Sequence, residues 1–276
     1  MQSFSGSFLL FFYQIALGGL FGLSATPFHE LERGFYKSTA GVLFVIALLG
    51  LWGKSHLYRQ LLSVQSNIAT LGEMLFHSVF VICFGAYVMS LWGENQPFRA
   101  RSFALCVLSG SIGLILSAQG FYQAPFWSFE TFVYPIAFFV SALLLGTVTV
   151  GMLLGHWYLI DTGQSLDPFI RIYKLFVAAL LVQTIFLLLS MALLYHFGVA
   201  GTVRKIEQLW TEHHTLLLTR VIAGQAAPLI LSWMIGRTLL IPHTMAATGL
   251  FYIALLGVFV GEILGKQVLT LTSLPF

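Results

Sequence analysis

Glu73 and His77 are two ionisable residues four positions apart inside one long apolar run of the sequence. Residues with this spacing lie one turn apart on the same helix face, so the carboxylate can orient or charge the imidazole and the two groups can pass a proton. An ionisable side chain inside a membrane-spanning helix costs about 2.5 to 3.5 kcal/mol on insertion scales, which makes each one a functional hypothesis. The pair predicts a proton-transfer site; the structural alternative is a headgroup-solvated glutamate beside a histidine that bonds to a neighbouring helix.

Oxidation of a quinol requires the chemistry that this pair offers. A quinol releases two protons with its two electrons, so its site needs a hydrogen-bond acceptor near each ring oxygen and a relay to water. Arg220 lies about one and a half turns inside a later apolar run and needs a carboxylate partner at that depth, either Glu262 or Glu73. We predict a quinone pocket for menaquinone or ubiquinone, with Glu73 and His77 as catalytic residues and with Arg220 beside them under the same headgroup layer.

Glu262 and Lys266 also stand at helical spacing, near the end of the last apolar run. The simplest interpretation is an exposed ion pair that contributes a few tenths of a kcal/mol. Glu262 is also a candidate cofactor-binding residue, because it can approach Arg220 from the same side of the membrane.

Heme b is the other use that the histidines allow. A buried b-type heme needs axial ligands from facing helices at matching depth, and the plausible same-side pair on separate apolar runs is His77 with His196. Neither run carries a second histidine one or two turns away, so two stacked hemes are not supported. The sequence has no CxxCH motif, which excludes covalently attached c-type heme.

The composition decides what kind of elements must position these residues. Hydrophobic residues make up 58% of the 276 and charged residues only 8%, whereas soluble domains carry roughly 25% charged residues. The net charge of +3 is scattered between apolar runs, so the chain lacks the basic face that nucleic acid requires. We therefore predict a single integral membrane domain over residues 1–276, all α, in a lipid bilayer and without a nucleic-acid partner.

About 20 apolar helical residues cross a bilayer core of about 30 Å, and eight runs meet that requirement. The predicted bundle of about eight transmembrane helices has these segments: Phe8–Phe28, Thr39–Trp52, Thr70–Trp92, Ser102–Phe121, Thr131–Ile160, Leu175–Phe197, Thr215–Gly236 and Thr244–Gly265. The second segment is short, so Lys37 and Lys54 are expected to snorkel at its ends. The loop before the seventh segment predicts a short amphipathic stretch from Val203 to Glu212.

Small residues recur at four-residue spacing, which lets helix backbones approach closely. The series are Gly18 and Gly22; Ser109, Gly113 and Ser117; Gly151 and Gly155; and Gly257, Gly261 and Gly265. A structural seam between helices is the expected role of all four series.

The last segment, GLFYIALLGVFVGEILGKQVL (Gly249 to Leu269), is similar to the last helix of the membrane anchor subunits of DMSO-reductase-type respiratory complexes, where Gly-Glu is followed by a small and a basic residue. The plan of eight helices with HELERGFYK after the first also resembles these anchors and their polysulfide-reductase relatives. The resemblance implies that the chain binds quinone without heme and passes electrons to an iron-sulfur subunit docked on one face. Of the candidate residues, Glu262 and Lys266 lie on the recognisable motif.

Together these features predict a membrane subunit of a respiratory or photosynthetic electron-transfer complex that is not an enzyme alone. The expected partners are a peripheral iron-sulfur or cytochrome subunit and other membrane subunits, and the expected location is the bacterial inner membrane. Three alternatives stay open: a b-type cytochrome subunit, a small-molecule or ion transporter, and a structural scaffold. Helix breaks favour transport, and Pro135 and Pro228 lie within apolar runs.

Overall fold

The computed structural model describes residues 4–276 apart from 27, 29, 65–67, 123, 124, 126, 162 and 242, and it describes no side chain in 60–68. Within that part of the chain the regular structure is helical, with no strands. Backbone groups in hydrocarbon have no water to bond, so long apolar runs must close their hydrogen bonds within a helix. The predicted all-α class is confirmed.

Ten α-helices and one π-helical segment follow one another along the described chain. They are α1 Phe4–Ser24, α2 Arg33–Val64, α3 Ile68–Ser90, α4 Gln96–Gln119, α5 Phe129–Ile160, α6 Asp167–Phe197, α7 Ala200–Glu212, α8 His214–Val221, the π-helical segment Ile222–Ala226, α9 Ala227–Leu239 and α10 Thr244–Thr272. In that same part of the chain, eight spans are long and apolar enough to cross a membrane, namely α1 to α6, α10 and the continuous run His214–Leu239. The chain is therefore an integral membrane protein built as a polytopic helical bundle, as predicted.

Several helices run further than the apolar segments alone indicate. α2 begins six residues before the predicted Thr39 and continues past Trp52, so Lys54 lies inside the helix. α6 begins at Asp167, with Pro168 in its first turn, where a missing N–H costs nothing. Hydropathy marks the part of a helix that lies in hydrocarbon, whereas polar residues continue the same helix beyond it.

α1 and α5 form the buried centre of the bundle. A Cβ atom on Gly146 would lie 1.7 Å from the carbonyl carbon of Gly18, and one on Gly18 would lie 1.7 Å from the carbonyl oxygen of Ala142. The two backbones are thus in direct contact, which agrees with the close approach predicted for the Gly18 series. α1 also packs against α2, α4 and α10, while α5 packs against α4, α6 and α10.

A second close crossing joins α10 to the π-helical segment. A Cβ atom on Gly261 would lie 2.2 Å from the Cα atom of Gly224. Arg220 of α8 lies one turn before Gly224, and Glu262 of α10 directly follows Gly261. The backbone contact at this crossing therefore brings the Arg220 and Glu262 side chains next to each other.

The predicted amphipathic stretch is helix α7, which buries Thr202, Ile206 and Leu209. The start of α7 is held by Glu130 of α5, whose Oε1 accepts hydrogen bonds of 2.9 Å from both Val199 N and Thr202 Oγ1. Free N–H groups at a helix start favour a carboxylate, so Glu130 fixes α7 against the bundle.

Candidate functional site: two buried polar clusters

Glu73 and His77 lie on one face of α3, and Ser117 of α4 bridges them. The Ser117 hydroxyl donates to Glu73 Oε1 at 2.6 Å and lies 3.3 Å from His77 Nε2. On the other side of the ring, the Tyr58 hydroxyl lies 3.0 Å from His77 Nδ1. Both imidazole nitrogens therefore have a protein partner.

One assignment of protons satisfies all of these groups. Ser117 gives its single proton to Glu73, so it must accept from His77 Nε2–H, which leaves Nδ1 free to accept from the Tyr58 hydroxyl. The hydrogen bonds then run in one direction from Tyr58 through His77 and Ser117 to the carboxylate. Such an ordered chain can move a proton by successive transfers along it.

Lys54 of α2 completes the cluster. Its ammonium group forms an ion pair with Glu73 and lies 3.4 Å from Ser117 Oγ. The prediction that Lys54 snorkels is wrong: α2 continues past Trp52, which turns Lys54 inward towards α3 and α4. We call Lys54, Tyr58, Glu73, His77 and Ser117 the Glu73 cluster.

The Glu73 cluster has an open end and a closed end. The Glu73 side chain is 18% exposed, whereas His77 is 1% exposed. Tyr13 closes the buried end, since its ring centroid lies 3.9 Å from that of His77 and its hydroxyl donates to Gly110 O at 2.9 Å. A ligand can therefore approach the cluster at Glu73 but not at the face that Tyr13 covers.

A second cluster lies between α5, α6, α8 and α10. Arg220 Nη2 is 3.7 Å from Glu262 Oε1, and Lys266 Nζ is 3.7 Å from Glu262 Oε2. Ser141 and Gln183 donate hydrogen bonds to the two Glu262 oxygens. We call these five residues the Glu262 cluster.

The predicted exposed pair of Glu262 and Lys266 is wrong, since the two residues are 2% and 4% exposed. The turn of α10 that carries them packs against α5 and α8, which no feature of α10 alone predicts. Arg220 takes Glu262 as its partner, one of the two candidates named from the sequence. The structure brings Glu73 and His77 together and places Arg220 and Glu262 in the other cluster.

His196 is exposed at the end of α6, where its ring lies edge-on to that of Tyr195. His77 is buried among α1, α2 and α4 and has partners at both ring nitrogens. The structure does not bring the two histidines together. Among the described residues, no group of three or more His, Cys, Asp or Glu side chains is placed to hold a metal ion.

The sequence does not predict the neutral polar residues of either cluster, nor Lys54. It predicts Ser117 only as part of a structural seam and Lys54 only as a snorkelling residue, and it does not single out Tyr58, Ser141 or Gln183. Gln183 carried a usable signal, because an amide in the middle of an apolar run needs a partner on another helix. Tyr58 and Ser141 carry no such signal, since hydroxyl groups are common on membrane helices.

Comparison of the chain with protein-family models, curated proteins and solved structures gave no match. Function therefore rests on the chemistry of the two clusters. The Glu73 cluster offers a partly exposed carboxylate joined to a buried imidazole, which suits proton transfer with a lipid-soluble molecule. The Glu262 cluster offers two cations and one carboxylate around a small cavity, which suits binding of a charged particle.

Proposed function

We propose that this chain is the quinone-interacting membrane subunit of an electron-transfer complex. One observation carries the proposal: an unbroken hydrogen-bonded chain joins the partly exposed carboxylate of Glu73 to the fully buried imidazole of His77 inside a membrane span. Ionisable groups in this position are costly, and a chain that only holds helices together needs no such order.

Quinol oxidation uses the two ends of the Glu73 cluster differently. The quinol ring approaches from the lipid at Glu73, which lies in the second turn of α3 and so near one membrane surface. As its two O–H bonds break, one proton passes to the Glu73 carboxylate. The other passes through the Tyr58 hydroxyl to His77 Nδ1, and His77 then gives its Nε2 proton through Ser117 to Glu73 once Glu73 has released the first proton. Lys54 balances the negative charge of the Glu73 carboxylate while that group is unprotonated.

The two electrons leave the quinol for a redox group in a partner subunit. The similarity of α10 to the last helix of DMSO-reductase-type anchors supports an iron-sulfur or cytochrome subunit in that role, in a bacterial inner membrane with menaquinone or ubiquinone. Reduction of a quinone runs the same steps backwards, with Glu73 and His77 returning protons. The chain then works as one subunit and not as an enzyme alone.

Replacement of Glu73 by Gln tests the proposal in the protein as isolated with its partners. Gln keeps the shape and can still bond Ser117, but it cannot accept a proton. Because a positioned acid or base contributes roughly 10²- to 10⁴-fold, we expect quinol turnover to fall by about that factor while assembly and spectrum of the complex stay unchanged. The matched control is Glu207→Gln on the exposed face of α7. Wild-type turnover in Glu73→Gln would contradict the proposal.

Transport of a small solute is the second candidate. It is favoured by the π-helical segment Ile222–Ala226, which interrupts one span directly beside Arg220. Such π-helical turns are frequent at functional sites, and interrupted helices line transporter sites. Copurification separates the candidates: an iron-sulfur or multiheme partner favours electron transfer, and a homo-oligomer alone favours transport.

A further inference from the structure

The Glu262 cluster borders a cavity of about 20 Å³ that also touches Phe138 and Phe186. A cavity holds one water molecule when about 10 to 15 Å³ is open to a water-sized probe. This cavity therefore fits one particle of about the size of a water molecule. It is too small for a quinone ring or a lipid headgroup.

Glu262 accepts hydrogen bonds from neutral side chains and from neither of the two cations. Its oxygens accept from Ser141 and Gln183, and both cations lie 3.7 Å away, beyond hydrogen-bonding distance. Arg220 Nη1 donates to Gly261 O at 3.0 Å, but its buried Nε has no hydrogen-bond partner among the described residues. A guanidinium and an ammonium together carry eight N–H donors, so the cluster holds more donors than acceptors.

The side-chain charges also show an excess of positive groups. Arg220 and Lys266 contribute two positive charges, and Glu262 is the one acidic side chain among the described residues that line the cavity. All three residues are at most 5% exposed. An unbalanced charge in low-dielectric surroundings is expensive unless a counter-ion is close. A single anion in the cavity balances the charge and accepts from both cations.

We propose that the Glu262 cluster binds a monatomic anion, chloride or another halide, between Arg220 and Lys266. This site lies apart from the Glu73 cluster and goes beyond the proposed function. Ser141 and Gln183 donate to Glu262 and so stabilise its negative charge beside the site.

Thermal unfolding of the full chain in nanodiscs, with chloride replaced by gluconate at constant ionic strength, tests the site. An ion that binds only the folded state stabilises it by RT ln(1 + L/Kd), where L is the free ion concentration, so Tm rises with the logarithm of L once L exceeds Kd. We expect this rise with chloride and bromide in the wild-type protein. In Lys266→Met, which removes the surplus charge, we expect the chloride Kd obtained from this rise to increase by about tenfold or more, equivalent to about 1.4 kcal/mol. Lys174→Met, at an exposed position of α6, is the control and should keep the wild-type Kd.

Equal Tm in chloride and gluconate for the wild-type protein would overturn the proposal, as would a Lys266→Met response identical to that of the wild type. If Lys266→Met does not fold, anomalous scattering from wild-type crystals grown in bromide decides the question. A bromide peak between Arg220 and Lys266 supports the site, and a water molecule alone at that position overturns it. These measurements use no quinone, so their failure is distinct from a failure of the proposed electron-transfer role.

Discussion

Ser117 converts two neighbours on α3 into a chain of proton-transfer groups. Glu73 and His77 share a helix face, but the hydrogen bonds that connect them run through the Ser117 hydroxyl of α4. The sequence predicts that Glu73 and His77 share a helix face, because helical spacing is a local property. It does not predict the contact with Ser117, because hydropathy does not indicate which helix lies beside α3. The same reason explains Arg220: Glu262 is one of its two candidate partners, but the choice between Glu262 and Glu73 depends on packing.

Replacement of Ser117 by Ala should interrupt that chain and keep the ion pair of Lys54 with Glu73. His77 Nε2 would lose its acceptor, and an unsatisfied buried group costs roughly 1 to 3 kcal/mol. We expect quinol turnover to fall at least about tenfold with a modest loss of Tm, measured by a turnover assay and thermal unfolding of the same preparation.

Ser109 provides the matched control for that experiment. It lies two turns before Ser117 on α4, but its hydroxyl bonds only to carbonyls of its own helix, Leu105 O at 2.7 Å and Cys106 O at 3.1 Å. Ser109→Ala should therefore keep full turnover. Equal turnover in the two variants would show that the Ser117 bridge carries no proton.

Helix crossings at glycine set the distance between the elements that hold each cluster. α1 meets α5 at Gly18 and Gly146, and α10 meets the π-helical segment at Gly261 and Gly224. Four-residue spacing predicts that Gly18 and Gly261 lie in seams, and their crossings confirm it, whereas Gly146 and Gly224 belong to none of the predicted series. The partner helix of each seam was not predictable, since every series in this sequence can serve any neighbour.

The α10 crossing yields a stability prediction with a control in the same helix. In Gly261→Ala the new methyl group would lie 2.2 Å from Gly224 Cα, a backbone atom that cannot move alone. We expect a loss of about 1 to 3 kcal/mol in unfolding free energy, the usual range for overpacking, together with a weaker chloride response because Arg220 donates to Gly261 O.

Gly249 lies on the same helix, and a Cβ atom there would meet nothing within 4 Å. Gly249→Ala should be neutral or stabilise the protein by roughly 0.5 to 1 kcal/mol, since Ala restricts the unfolded chain and favours helix. Denaturant unfolding in mixed micelles measures both variants. Equal losses at the two positions would mean that the crossing is not the cause.

At the scale of the molecule, the bundle keeps its two sets of buried charges apart. The Glu73 cluster is built on α2, α3 and α4 and closed by α1, whereas the Glu262 cluster is built on α5, α6, α8 and α10. The sequence predicted the eight spans because each is a local property of an apolar run. The division into two clusters depends on which helices are neighbours, and the sequence argument accordingly placed Arg220 with Glu73.

The separation predicts that the two carboxylates contribute independently to stability. Mutations that share no contacts add within about 0.5 kcal/mol, and the two clusters have no residue in common. Glu262→Gln should cost about 3 to 5 kcal/mol, because it leaves two buried cations without their carboxylate. Glu73→Gln should cost less, because Lys54 and Glu73 keep some exposure. The double variant should then lose the sum of the two single losses in unfolding free energy, measured in one lipid or detergent system. A coupling larger than about 1 kcal/mol would mean that the α1 and α5 crossing transmits strain between the clusters, and that quinol chemistry at the Glu73 cluster responds to charge at the Glu262 cluster.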